Sequence, residues 1–122
     1  MLLESIRDAL AKHQVRDAVI TSAIGSLSKV SLHRVTGYDP SPVDEYITLE
    51  NPFELASLQG LVVDGHPHFH MVVSDRAQTY TGHLEEGTTV LYLVEISLLE
   101  LTDVNLKRVA DENKIAKLYS KD

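Results

Sequence analysis

Residues 64–84 read DGHPHFHMVVSDRAQTYTGHL. Asp64-Gly65 is a strong turn signal, and an alternating run follows it from His66 to Ser74. On a strand, successive side chains point to opposite faces. His66, His68 and His70 therefore share one face, while Phe69, Met71 and Val73 point to the other, toward a core. Arg76 to Leu84 then reads as a return strand after a short connection at Ser74–Gln78. The stretch predicts an antiparallel pair with imidazoles on one side and apolar residues on the other.

Working outward, the spacing of Leu3, Ile6, Ala9, Leu10 and His13 predicts an amphipathic helix over residues 2–14. Asp17 to Ile24 is rich in β-branched residues and reads as a strand turning at Gly25. Lys29 to Tyr38 reads as another strand, and Asp39-Pro-Ser-Pro42 as a turn. Glu45 to Glu50 alternates as a hairpin partner. Asn51-Pro52 opens a separate segment, Phe53 to Val63, in which Gly60 argues against a long helix. Thr88 to Thr102 (TTVLYLVEISLLELT) is the longest predicted strand, after a loop at residues 85–87. The tail takes no firm assignment. One helix followed by seven or so strands predicts an α+β fold with a mostly antiparallel sheet, in one domain spanning residues 1–122.

The composition narrows the functions. No cysteine is present, so any metal must be held by nitrogen and oxygen ligands. Eighteen acidic residues against eleven basic ones give a net charge of −7, which repels nucleic-acid phosphates. The densest basic stretch, NLKRVADENKIAKLYSK, is interleaved with acids, so direct DNA binding is not expected. The opening MLLESIRDALAKH has no signal-peptide core, and no apolar run has membrane-spanning length. A cytoplasmic protein that does not enter the membrane is expected.

Same-face strand residues stand roughly 6–7 Å apart at their bases, because a strand rises about 3.3 Å per residue. Two such imidazoles can converge on one ion with bonds of about 2.0–2.1 Å. A third ligand must come from elsewhere, and His83 qualifies if the return strand lies beside the first. The pattern leaves open which two of His66, His68 and His70 bind, and surface histidines on an exposed strand face are the alternative. Among charged residues, Glu95 interrupts an apolar strand and is the candidate catalytic partner; Glu54 and Arg76 are weaker candidates.

With these residues in view, the chain resembles the PPC (plants and prokaryotes conserved) domain in its stand-alone prokaryotic form. The resemblance lies in ITSAIGSLSKVSLHRV, EYITLENPFELASLQGLV and HPHFHMVVSDRAQTYTGHLEEGTTVLYLVEISL, in that order, and spans nearly the whole chain. It implies one N-terminal helix on a strongly twisted, mostly antiparallel sheet, and assembly as a homotrimer. The family is similar in fold to acetolactate decarboxylase, including an H-x-H…H zinc site. Carried over, that site implies His68, His70 and His83 as ligands of one divalent metal, expected to be Zn2+, with a small molecule as ligand. His66 is left beside the site or on the surface. Thr81-Gly82 stands where the family has paired glycines. A fold carries no activity, so whether the chain is an enzyme stays open. DNA association, known from plant relatives with AT-hooks, and a purely structural trimerisation module are the other implied functions; this chain has no Arg-Gly-Arg core.

Overall fold

A computed structural model describes residues 1–122. Its elements are α1 (Leu2–Lys12), β1 (Ala18–Val35), β2 (Asp44–Val63), β3 (His66–Ser74), β4 (Thr79–Leu84), β5 (Thr89–Glu100), β6 (Leu106–Ala110) and β7 (Ala116–Ser120). The predicted α+β class holds: one N-terminal helix and a sheet whose pairings are all antiparallel. No helix is long and apolar enough to cross a membrane.

The main sheet runs β2-β3-β4-β1-β5, and β1 also pairs with β2. Strands β1 to β4 therefore close into a ring. Closure takes place at one end of β1, where Leu32 pairs with Leu84 and His33 with His83. Strand β5 continues the sheet from the other half of β1. Buried side chains of β1–β4 fill the interior, among them Leu27, Leu32, Leu55, Phe69 and Met71. The helix covers part of this core with Leu2, Leu3, Ile6 and Leu10, the apolar stripe its spacing predicts.

The strand boundaries correct the sequence reading in three places. Gly25 is not a turn: β1 runs straight through it as one 18-residue strand. A Cβ at Gly25 would collide with the Leu93 carbonyl oxygen and lie 2.7 Å from Val94 Cα, so the glycine permits close approach of β5. Asn51-Pro52 is not a break either. Strand β2 continues through it, and the β1–β2 register shifts there, between Leu27 opposite Phe53 and Lys29 opposite Glu50. Proline cannot donate to a ladder, and a bulge is where a strand tolerates it. The tail, left without assignment, forms the β6–β7 hairpin as a separate two-stranded sheet. Smaller differences lie at Val35, where the strand expected to reach Tyr38 stops, and at Lys12, where the helix expected to reach residue 14 stops.

Asp17 fastens three segments together. It is buried; Oδ1 accepts the Asp64 amide at 2.9 Å and Oδ2 accepts the Leu106 amide at 3.3 Å. Its own carbonyl accepts the Leu101 amide at 2.8 Å. The turn before β3 and the start of the C-terminal hairpin are thereby tied to the start of β1.

Candidate metal centre

Asp64 and Gly65 take positive φ angles of 52° and 79°, as a two-residue hairpin turn of the type favoured by right-handed strand twist requires. Val63 pairs with His66 across it, so the register of β3 is fixed from its first residue. His68 and His70 then share the face opposite the buried Phe69 and Met71. At the far end of β3, Asp75 Oδ1 accepts the amides of Ala77 and Gln78, each at 2.8 Å. These bonds hold the Asp75 carboxyl below its usual pKa. The resulting turn brings β4 back so that His70 lies opposite His83.

Three imidazoles meet there. Ring centroids are 5.3 Å apart for His68 and His70, 4.8 Å for His68 and His83, and 5.6 Å for His70 and His83. One ring nitrogen from each lies within 4.8 Å of the others. Nitrogens bound to one tetrahedral ion stand roughly 3.3 Å apart at bond lengths of about 2.0–2.1 Å. Small side-chain rotations close that difference. His66 lies outside the cluster, at the start of β3.

The protonation state suits metal binding, which requires neutral imidazole. His83 is lowered from 6.5 to about 4, chiefly by burial and then by the nearby charges of His33, His68, His70 and Arg108. His68 is lowered in the same direction, by burial first and then by Arg108, His70 and His33.

A fourth histidine was not legible as part of the site. His33, on β1, stacks on His83 with centroids 4.3 Å apart, because ring closure makes the two register partners. Its Nδ1 contacts the Glu85 carboxylate, and Nε2 lies 3.8 Å from Asp44 Oδ2. His33, His83 and Glu85 form a second donor set that shares His83 with the first. Thr88 steadies Glu85: its buried hydroxyl accepts the Ser31 amide at 3.0 Å and sits 3.2 Å from the Glu85 carbonyl. Gly82 permits the closure. A Cβ there would lie 2.6 Å from the His33 carbonyl oxygen and 2.8 Å from Leu32 Cδ1.

The imidazoles border a cavity of about 430 Å³ lined also by Arg34, Ser57, Gln59 and Thr81. Glu95, the candidate catalytic carboxylate, is not among its lining residues; it stands exposed on β5 opposite Ile24, on the part of β1 away from His33. Glu54 and Arg76 lie together on a different cleft, with Asp75 and Tyr92.

Comparison with solved structures supports this architecture. A plant- and prokaryote-conserved protein from Pyrococcus horikoshii is 25% identical, with a TM-score of 0.81 over 99% of this chain and 85% of that one. A metal-containing protein from Archaeoglobus fulgidus is 26% identical, with a TM-score of 0.74 over 93% of this chain and 80% of that one. A candidate DNA-binding protein from Ralstonia eutropha shares the fold at 24% identity, with a TM-score of 0.77 over 97% of this chain and 83% of that one. No curated protein matches the chain. The model of the Plants and Prokaryotes Conserved domain matches residues 1–102, which contain every histidine of the cluster, and the chain belongs to that family.

Proposed function

We propose that this chain is a metal-binding protein in which His68, His70 and His83 hold one divalent ion, zinc above all, facing a small-molecule cavity. The observation that carries the reading is the convergence of three imidazole nitrogens within 4.8 Å at the border of that cavity. The metal-containing relative from Archaeoglobus fulgidus adds support. Three imidazoles without thiolate suit zinc, nickel and cobalt in geometry and softness, and three protein ligands leave a coordination position free for water or substrate. A zinc ion in such a set supplies Lewis acidity toward a bound oxygen. The set of His33, His83 and Glu85 is the weaker holder, because His33 and Glu85 already contact each other. Elemental analysis of the purified chain and of single histidine variants tests the reading.

The same reading includes a homotrimer. Strand β5 presents Leu91, Tyr92, Leu93 and Leu99 to solvent, with exposures of 38%, 84%, 55% and 57%. An edge strand so apolar invites cover, and cyclic closure supplies it without open-ended growth. Duplex DNA is not a direct ligand on this reading, given the net charge of −7.

A further inference from the structure

We propose that Glu85 is a positioning residue of the metal centre: its carboxylate accepts the second ring N–H of His83 when His83 holds the ion, and His33 competes for it. Glu85 is the one carboxylate that shares a donor set with any of the three proposed ligands. His83 belongs to both sets, and one oxygen of Glu85 and one ring nitrogen of His83 lie within 4.8 Å of each other. An imidazole has two nitrogens, so one can take the ion while the other donates to an acceptor. Metal-bound histidines almost always donate that second N–H, and a carboxylate makes the strongest such bond.

The chain holds Glu85 in place through its backbone. Its amide donates to the Ser31 carbonyl at 3.0 Å, and the buried Thr88 hydroxyl sits 3.2 Å from its carbonyl oxygen. The helix secures the two residues that follow: Glu4 Oε1 accepts the Gly87 amide at 2.9 Å, and Arg7 pairs with Glu86. A backbone so fixed leaves the carboxylate only side-chain rotation, between half-buried His33 and half-buried His83. The carboxylate contacts His33 Nδ1. A shift of roughly 2 Å would bring it to the about 2.7–2.9 Å of a charge-assisted bond with His83.

The rings argue against a second ion on His33, His83 and Glu85. His33 and His83 stack with their planes 24° apart. Ring-nitrogen lone pairs lie in those planes, so they run side by side and do not converge on one ion at bonds of about 2.0–2.1 Å. Register fixes His33 in that stack, opposite His83 on β4 and Tyr46 on β2, with its ring 5.2 Å from that of Tyr46. His33 is thus the resting partner of Glu85. Coordination of a cation polarises the His83 ring and makes its remaining N–H the stronger donor. The competition makes His33 a brake on metal affinity. This role rests on His83 holding the ion, and it adds a regulator to that site.

The test is the zinc affinity of the full chain at pH 7.5, by competition with a chromophoric chelator. The imidazole ring protons of the zinc-loaded protein are followed by NMR alongside it. Glu85→Ala should weaken zinc about 10–100-fold, and Glu85→Gln, which keeps a carbonyl acceptor without the charge, should fall between it and wild type. His33→Phe keeps a ring in the stack and frees the carboxylate, so zinc should bind about two- to tenfold more tightly, the weight of one net hydrogen bond. With zinc bound, the wild type should show a slowly exchanging, downfield His83 ring N–H that Glu85→Ala loses; a residue that only supported the fold would not move that signal. Zinc affinity unchanged in Glu85→Ala, zinc affinity not raised in His33→Phe, or a zinc-loaded wild type without that His83 proton overturns the proposal. If Glu85→Ala does not fold, Glu85→Gln and the wild-type ring proton still decide it. A wild type that binds no zinc removes the metal reading and this role together, whereas zinc binding equal in wild type and Glu85→Ala removes this role alone.

Discussion

His70 and His83 are register partners across β3 and β4, with ring centroids 5.6 Å apart. A one-residue slip of that ladder would turn His83 to the core face and Leu84 to the cavity. Site geometry therefore depends on the turns and close approaches that set the register as much as on the ligands themselves.

Gly82→Ala should damage both fold and site. Its Cβ would press on the His33 carbonyl at 2.6 Å, which is backbone and cannot rotate away. A loss of about 1–3 kcal/mol is expected from such overpacking, read as a lower urea midpoint. Zinc affinity should fall with it, because β4 carries His83. Unchanged stability would mean that β4 does not pack against β1 as described.

Asp17→Ala should leave the Asp64 and Leu106 amides without their acceptor. The expected cost is about 1–3 kcal/mol. Hydrogen exchange should accelerate first in the β6–β7 hairpin, whose entry Asp17 holds. Uniform acceleration across the chain would argue that the hairpin is not a separately tethered unit.

Much of this was legible in the sequence, and the rest was not, for physical reasons. Asp64-Gly65 and the alternation from His66 to Ser74 are local signals, so the β2–β3 turn, the face shared by His68 and His70, and the return of His83 could be read directly. Gly25 and Asn51-Pro52 mislead because glycine and proline mark turns and bulges alike, and only the partner strand decides between them. His33 reaches the site through ring closure, which joins residues remote in sequence and which periodicity does not reveal. Glu95 stands out in the sequence as a lone carboxylate in an apolar strand, but the flanking Leu91 and Leu93 are exposed rather than walls of a pocket.

The pH dependence of the metal-free chain should carry the mark of His83. Its pKa falls from 6.5 to about 4 on folding, so the unfolded chain binds the proton more tightly. The sign follows: the contribution to stability is intact above pH 6.5 and is progressively lost as pH falls toward about 4. Urea midpoints measured across that window should drop more steeply for wild type than for His83→Gln. Parallel curves would contradict a neutral, half-buried His83.

Light scattering at micromolar concentration should return three times the 13.6 kDa mass of one chain. Leu93→Glu, placing a charge on the exposed apolar run of β5, should shift the protein toward smaller species. A wild-type mass of 13.6 kDa would remove the trimer.

The most direct test of the central claim is the zinc content, at pH 7.5, of the wild-type chain and of four single alanine variants, at positions 66, 68, 70 and 83. The wild type should hold about one equivalent per chain, His68→Ala, His70→Ala and His83→Ala far less, and His66→Ala as much as wild type. A wild-type chain that holds no stoichiometric zinc, or a site lost in His66→Ala and kept in His83→Ala, would contradict the account.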